Sequence, residues 1–285
     1  MLSPYLVENR HLAVKRCKHG LFMYNRNDSY IGRSLDLYGE WCDLEIQLLA
    51  QFIRSGDTVV DVGANIGTHT VAFANLVGPT GTVHAFEPQR RLFQMLCGNV
   101  ALNCLENVVC HARAVGDASG EISIPQLPPP YAFFNFGAVP LTLSLPKSEP
   151  ATMVTLDELN LDKCQVIKID AEEMEARVLA GARQTIARCQ PILYVENDRP
   201  EASKAIAPLL KEIGYRAYWS IFPYFDRRNF YSNTINIWPE DHAPSANLLC
   251  LSERLKIEVP DAEPFLGEHD DWKSGMRRLR ERPRK

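Results

Sequence analysis

From residue 59 the chain reads Val59-Val60-Asp61-Val62-Gly63-Ala64-Asn65-Ile66-Gly67, and about twenty residues further on comes Phe86-Glu87-Pro88. The apolar, β-branched run reads as a buried parallel strand. Gly63 and Gly67 let the backbone turn tightly and approach a ligand before an amphipathic helix begins. A second apolar strand, Gly81 to Phe86, ends in a carboxylate able to accept two hydrogen bonds from a ribose diol. The same glycines also suit a loop that merely closes a βαβ unit. With strand, loop, helix, strand and acid arriving in order, the pattern describes a nucleoside site at the carboxyl edge of an open α/β sheet.

The spacing of the glycines narrows the ligand. A dinucleotide needs G-x-G-x-x-G, because its pyrophosphate sits against bare backbone at a helix N-terminus. Here the spacing is G-x-x-x-G, with Ala64 and Asn65 inside it and no basic residue ready for a phosphate. The loop suits ribose, adenine and an amino-acid tail without phosphates, which fits S-adenosyl-L-methionine and fits NAD poorly.

At 285 residues the chain can bury one sizeable core with material left for a cap or tail. A net charge of −4 gives no electrostatic case for nucleic acid over the whole surface. The exception is the basic end, from Lys273 through Arg277, Arg278, Arg280, Arg282, Arg284 and Lys285, which reads as a solvated, frayed tail or as a contact for an anionic partner or membrane surface. The eight cysteines contain no C-x-x-C pair. They read as small core residues in a reducing compartment. No signal-peptide pattern and no run near the ~20 apolar residues of a membrane helix occurs, so no stable membrane insertion is expected and the cytoplasm is the default location.

Along the chain, residues 1–55 read as a cap segment of scattered apolar residues followed by a helix with Leu44, Ile46, Leu48, Leu49 and Phe52. Helices are expected from Ile66 to Val77 and from Arg90 to Asn103, with a strand at Val108 to His111. Glu121 to Ile124 reads as a strand. Pro125 to Pro150, rich in proline and aromatics, reads as an ordered flap over the pocket. Thr155-x-x-Glu158 has the form of a capping box. The strand Val166 to Asp170 precedes one helix carrying Met174, Val178, Ala182 and Ile186. A strand at Ile192 to Val195, a helix at Ala202 to Ile213 and strands at Tyr215 to Ile221 and Leu248 to Leu251 complete the alternation. Such alternation implies a mostly parallel sheet with helices on both faces.

Seven segments in this order resemble a class I, Rossmann-like methyltransferase, and more narrowly the FkbM family. They are Asp61-Val62-Gly63-Ala64-Asn65-Ile66-Gly67, Ala85-Phe86-Glu87-Pro88, Asn99-x-x-x-Asn103 with Asn107-Val108-Val109, Ala114-Val115-Gly116-Asp117, Thr155-Leu156-Asp157, Lys168-Ile169-Asp170-Ala171-Glu172, and Val178-Leu179-Ala180-Gly181-Ala182. The resemblance covers roughly residues 38–255 and implies a seven-stranded sheet, S-adenosyl-L-methionine as cofactor, and methyl transfer to a hydroxyl of a sugar, glycolipid or polyketide-type small molecule. It divides the chain into a cap at 1–55, a methyltransferase domain at 56–255 and a tail at 256–285. One departure stands out: the family usually has glycine after the glutamate of K-I-D-x-E-G, and here that residue is Glu173.

In methyl transfer the cofactor supplies the activated group, so the protein must align the acceptor and take its proton. The strand-end candidates are Asp61, Glu87, Asp170, Glu172, Glu196 and Asn197. The resemblance assigns Asp61, Gly63, Ala64, Asn65, Gly67, Glu87 and Asp117 to the cofactor, with Glu87 as the ribose ligand and Asp117 near the adenine edge. Asp170 or Glu172 is expected to act as general base or to orient the acceptor. These acids also suit the cofactor's positive end, a divalent metal shared with Glu196 and Asn197, or simply a helix N-terminus, where each acid is worth ~0.3–1 kcal/mol. No metal is assigned. His69 is the rival base. Trp41, the flap aromatics Tyr131, Phe133, Phe134 and Phe136, and Trp219, Phe222, Tyr224 and Phe225 are candidates to cover the cofactor, stack on an acceptor or close a small core. Two other readings are an NAD-dependent oxidoreductase and a cofactor-binding protein without chemistry that acts through partners. The expected partner is a small hydroxyl acceptor, with no nucleic acid.

Overall fold

The valine run does become a central buried strand, and the rest of the fold is arranged about its carboxyl end. The structure, a computed structural model, describes residues 5–143, 146–239 and 242–282. Residues 144 and 145 of the expected flap, and Arg284 and Lys285 of the basic end, lie outside the described residues.

Three antiparallel strands open the chain, β1 (Tyr5–Glu8), β2 (Leu12–Cys17) and β3 (Gly20–Asn25), where only scattered apolar residues were expected. Two short helices follow, α1 (Ile31–Tyr38) and α2 (Asp43–Leu49). The expected alternation then begins with β4 (Thr58–Val62), α3 (Thr68–Val77), β5 (Thr82–Phe86), α4 (Arg90–Leu102) and β6 (Val108–His111). A second small sheet interrupts it, made of β7 (Arg113–Val115), β8 (Gly120–Pro125) and β9 (Ser148–Val154) in the order β7-β9-β8. The expected flap is therefore shorter, because its last residues pair with β8. The alternation resumes with β10 (Val166–Ile169), α5 (Glu175–Ala180), α6 (Arg183–Cys189), β11 (Ile192–Glu196), α7 (Pro200–Glu212), β12 (Tyr215–Phe222) and β13 (Ser245–Ser252). Last come β14 (Glu263–Pro264) and α8 (Trp272–Glu281).

The central sheet has eight strands in the order β14-β12-β13-β11-β10-β4-β5-β6, against the seven expected. β14 supplies the extra edge by pairing antiparallel with β12. Segment 256–282 is accordingly no frayed tail. Asp271 caps α8 by accepting from Ser274 N at 2.7 Å, and Arg278 pairs with Asp270 at 2.7 Å. Two other expectations change in detail. Met174, Val178, Ala182 and Ile186 are all buried, but Gly181 divides their helix into α5 and α6. The capping box does not close, because Glu158 accepts from the Ser119 hydroxyl instead.

Register positions the site. Val62 pairs with both Phe86 and Ile169, and Ile169 pairs with Val195. The next residue of each strand therefore emerges at one edge: Gly63, Glu87, Asp170 and Glu196. Strands β5 and β6 extend the sheet from β4 on one side, while β10 and β11 extend it on the other. The order thus reverses between β4 and β10, the position at which open α/β sheets bind ligands.

The small N-terminal sheet is fixed to α4 by two amides one turn apart. Asn99 Oδ1 accepts from Met23 N at 2.7 Å, and its Nδ2 donates to Met23 O at 3.0 Å and Ile66 O at 2.7 Å. Asn103 Oδ1 accepts from Leu21 N at 2.8 Å, and its Nδ2 donates to Leu21 O at 2.8 Å. The helix thus supplies the partners that edge strand β3 lacks, on alternate residues that face the same way. Asn99 is fully buried, so Asn99→Leu would leave three backbone groups unpaired. It should lower stability by roughly 2–3 kcal/mol, read as a shift of the urea midpoint. An unchanged midpoint would show that the amide is incidental to the docking.

Candidate active site

A cavity of about 270 Å³ opens where the sheet order reverses. Gly63, Ala64, Asn65, Glu87, Asp170, Glu172 and Glu196 line it, as the sequence led one to expect. Gly63 is required there by contact as well as by conformation. Its φ is +76°, and a Cβ would fall 1.7 Å from the Asp170 carbonyl oxygen, so the ends of β4 and β10 meet through the missing side chain. Gly67, with φ +89°, caps α3 and packs on Leu96 without lining the cavity.

Glu87 ties two loops together. Its Oε2 accepts from Asn65 N at 2.9 Å and its Oε1 from Gln89 N at 2.7 Å. Each oxygen keeps a second lone pair. Burial pushes this carboxyl up to about 7 against the opposing backbone hydrogen bonds, with the charges of Asp170 and Asp61 adding to the rise.

Asp61 is close by but turned inward. It is fully buried, accepts from Thr70 Oγ1 at 2.6 Å, and lies 3.6 Å from the Lys168 ammonium without lining the cavity. Lys168 sits opposite Asp61 across β4 and β10, and its Nζ also reaches Asp170 Oδ2 at 3.2 Å. Burial alone would lower the pKa of this lysine, but the carboxylates of Asp170, Asp61 and Glu45 outweigh it and raise it. Its buried ammonium is thus held in the charged form by the carboxylates around it. Sequence reasoning passed over Lys168 although a lysine inside the apolar run from Val166 to Ile169 was the signal.

Asp117 is not brought to the site. Strand β7 leaves the main sheet to pair with β9, and the loop after it turns Asp117 toward solvent. Its side chain is 45% exposed and pairs with Arg177 at 2.7 Å.

The turn after β10 concentrates carboxylates. Glu175 Oε1 accepts from Ala171 N at 3.0 Å and Glu173 N at 3.2 Å, which closes the turn. Glu172 and Glu173 sit at φ +51° and +74°. The second value explains why glycine suits that position and marks Glu173 as strained. Its side chain pairs with Arg199 and accepts from Thr142 Oγ1 at 3.3 Å. Burial, and then the charge of Asp170, push Glu172 up to about 9 against the pull of Arg199. Burial and neighbouring acids likewise raise Glu196 and Asp198. Asn197 lies behind them, buried and bonded to Ser203 at 2.9 Å. Among the described residues no three His, Cys, Asp or Glu side chains are grouped to hold a metal ion.

The opposite wall comes from distant segments that sequence reasoning only partly found. Trp41 stacks on Tyr224 at 5.1 Å, and Tyr30 packs edge-on against both. Buried His69 faces Glu45 across 3.4 Å from its Nε2, and Glu45 in turn accepts from Asn247 Nδ2 at 3.3 Å. The flap contributes Phe136, Val139 and Leu141. Its other aromatics do not reach the cavity: Tyr131 is 67% and Phe133 66% exposed, while Phe134 pairs with Asp28 through the backbone. Trp219 faces Asp270 and α8, away from the site.

These residues fit S-adenosyl-L-methionine. Glu87 offers open lone pairs to a diol, Leu92, Phe136 and Val139 give an apolar surface, and the acid edge favours a cation. A dinucleotide would have to set its pyrophosphate among the acidic side chains of Glu45, Glu87, Asp170, Glu172, Glu196 and Asp198, with no glycine-rich helix N-terminus of G-x-G-x-x-G form to receive it.

Comparison with known proteins gives the same result. A family model described as the methyltransferase FkbM domain matches residues 61–217, just over half of the chain. No curated protein sequence matches. Among solved structures, the chain is similar to methyltransferase FkbM from Methylobacillus flagellatus KT, at 17% identity and a TM-score of 0.43, over 72% of this chain and 50% of that one. It is also similar to an S-adenosylmethionine-dependent O-methyltransferase from Thermotoga maritima, at 12% identity and a TM-score of 0.47, over 86% and 79%. An rRNA methylase from Streptococcus thermophilus aligns at 10% identity and a TM-score of 0.42, over 73% and 94%. The family match covers the strand-end motifs that form the cavity, and the chain belongs to the FkbM methyltransferase family, as an S-adenosyl-L-methionine-dependent enzyme.

Proposed function

We propose that this enzyme methylates a hydroxyl oxygen of a small molecule, of sugar, glycolipid or polyketide type. The observation that carries this reading is the pairing of Asp170, held by the Lys168 ammonium, with a Glu172 that burial keeps protonated at neutral pH. Two adjacent carboxyls in different protonation states can accept one proton and donate another. Asp170 takes the proton from the acceptor hydroxyl, and Glu172 donates a hydrogen bond that orients the same group. The aromatic wall of Trp41, Tyr224 and Tyr30 gives a flat apolar face opposite these acids, the combination a sugar ring needs.

The bound cofactor supplies a methyl group already activated on its sulfonium. Glu87 accepts from the ribose hydroxyls, the backbone from Gly63 to Asn65 approaches closely, and the flap residues Phe136, Val139 and Leu141 exclude water. The N-terminal segment, through Tyr30, Ile31 and Trp41, acts as a cap on the same cavity.

Cofactor binding gives the first test. Glu87→Ala should weaken S-adenosyl-L-methionine binding by on the order of 1.5–3 kcal/mol, measured by calorimetry. Because the Glu87 carboxyl titrates near 7, wild-type affinity should rise with pH between 6 and 8, as the ionised form becomes the acceptor. That slope should flatten in Glu87→Gln. Wild-type affinity in both variants would remove Glu87 from the cofactor site.

The roles of the two acids separate in a second test. Asp170→Asn should lower turnover ~10²–10⁴-fold, the usual contribution of a general base. Glu172→Gln keeps a neutral donor and should retain most of the rate, while Glu172→Ala should not. In the wild type the rate should fall as pH rises through about 9, where Glu172 ionises, and this fall should vanish in Glu172→Gln. If Asp170→Asn stays active and His69→Gln does not, the base is His69 with Glu45 behind it.

A further inference from the structure

Next to the cavity lies a broader groove of about 890 Å³, with Tyr224, His242, Ala243 and Pro244 lining both spaces. The far wall of the groove is α8. Its inner face is committed to the fold: Gly275 lies against Trp219, where a Cβ would sit 2.6 Å from the indole, and Arg278 pairs with Asp270 and Glu263. Arg282 joins the same group, 2.8 Å from Glu263.

The outer face is different. Lys273, Arg277 and Arg280 stand at i, i+4 and i+7, so they share one side of the helix and line the groove. All three are exposed, and among the described residues none of them has a carboxylate partner. One acid, Glu281 at the end of the helix, also lines the groove, so the cations remain in excess. Between these cations and the acid edge stand Tyr224, Trp238 and His242, with ring centroids 5.1–5.6 Å apart.

We propose that this groove is the distal part of the acceptor site and holds a phosphate group of the acceptor. The substrate is then a phosphorylated or diphosphate-linked hydroxyl compound; the assignment rests on the methyl-transfer reading above. The argument is one of charge. The cations of the inner cavity are already paired, Lys168 with Asp61 and Asp170 and Arg199 with Glu173, whereas the neighbouring groove carries three cations without a carboxylate partner among the described residues. An anionic group finds cations without a carboxylate partner in the groove, so such an acceptor lies with its phosphate there and its hydroxyl end toward Asp170. Guanidinium pairs are suited to phosphate oxygens, and the aromatic surface between the two ends can carry a sugar ring or a base.

The test uses the full chain with S-adenosylhomocysteine present, so that the nucleoside site is filled. Uridine diphosphate and glucose 1-phosphate are the probes, titrated by calorimetry into wild type and a Lys273→Gln, Arg277→Gln, Arg280→Gln triple variant. Wild type should bind at least one probe, and the triple variant should lose about tenfold or more in affinity, with added salt weakening the wild type in the same sense. S-adenosylhomocysteine affinity should be equal in the two proteins. Arg277→Glu alone, which adds repulsion on an exposed helix face, should also weaken the probes and serves if the triple variant does not fold. No binding of either probe by wild type, or equal binding by the variants, overturns the proposal. A single-stranded RNA oligomer and phosphatidylglycerol vesicles form two further arms; a charge-dependent loss confined to one of them would assign the face to that macromolecule and overturn the small-molecule reading. Failure of wild type to bind S-adenosylhomocysteine would instead count against the methyl-transfer reading, while the phosphate titrations still report on the groove.

Discussion

The charge of Lys168, buried in the centre of a parallel sheet, is the constraint on which the site depends. Six carboxylates line one small cavity, and the lysines and arginines lining it with them are Lys168 and Arg199. Without a cation inside, the acids at the ends of β4 and β10 would repel one another or take up protons. Lys168 lies between Asp61 and Asp170, at 3.6 and 3.2 Å. It therefore bridges carboxyl groups of both strands at the reversal point. Burial and the charge of neighbouring acids push Glu172, Glu196 and Asp198 toward the neutral form.

Much of this was readable in the chain because the central strands are continuous apolar runs whose ends are marked by acids and glycine. Register then carried those ends to one edge. What escaped reading was held together by polar contacts instead. In β2 the inward positions are Ala13, Lys15 and Cys17, and the buried Lys15 hides the alternation that would identify a strand. Its ammonium donates to Asp36 O at 2.5 Å and lies 4.5 Å from the Tyr231 ring centroid, partners far away in sequence. Helix α8 looked like a basic tail for the same reason. It is anchored by ion pairs to Asp270 and Glu263 and by one glycine, and its short apolar stripe of Trp272, Met276 and Leu279 is masked by the arginines and lysine between them.

The cavity wall opposite the acids depends on a similar long-range assembly. Tyr38 on α1 donates to Ile235 O at 3.0 Å and accepts from Ile237 N at 3.0 Å. Tyr231 donates to Arg16 O at 2.6 Å. These bonds hold the connection between β12 and β13 against the N-terminal sheet, which Asn99 and Asn103 in turn hold against α4. Tyr30, Trp41 and Tyr224 are thereby brought to one place from two ends of the chain. Local patterning marked Trp41 and Tyr224 as candidate covers, but it could not announce that they stack on each other or that Tyr30 joins them, since the contacts of Tyr224 with both span nearly two hundred residues of sequence.

The glutamate at position 173 links these two halves. A glycine there would adopt φ +74° without strain, whereas an L side chain in the left-handed region is disfavoured by roughly 1–2 kcal/mol. The strain is offset by contacts that a glycine could not make. Glu173 pairs with Arg199 at the start of α7, and it accepts from Thr142 on the flap. The backbone adds a further tie, with Leu141 N donating to Glu172 O at 3.2 Å. Through this turn the flap that covers the cavity is fastened to the acids that line it. By drawing Arg199 toward itself, Glu173 also holds that guanidinium 3.9 Å from Glu172, too far to form a tight pair with it. The residue that departs from the family pattern therefore shares Arg199 with Glu172 and joins the flap to the acid edge.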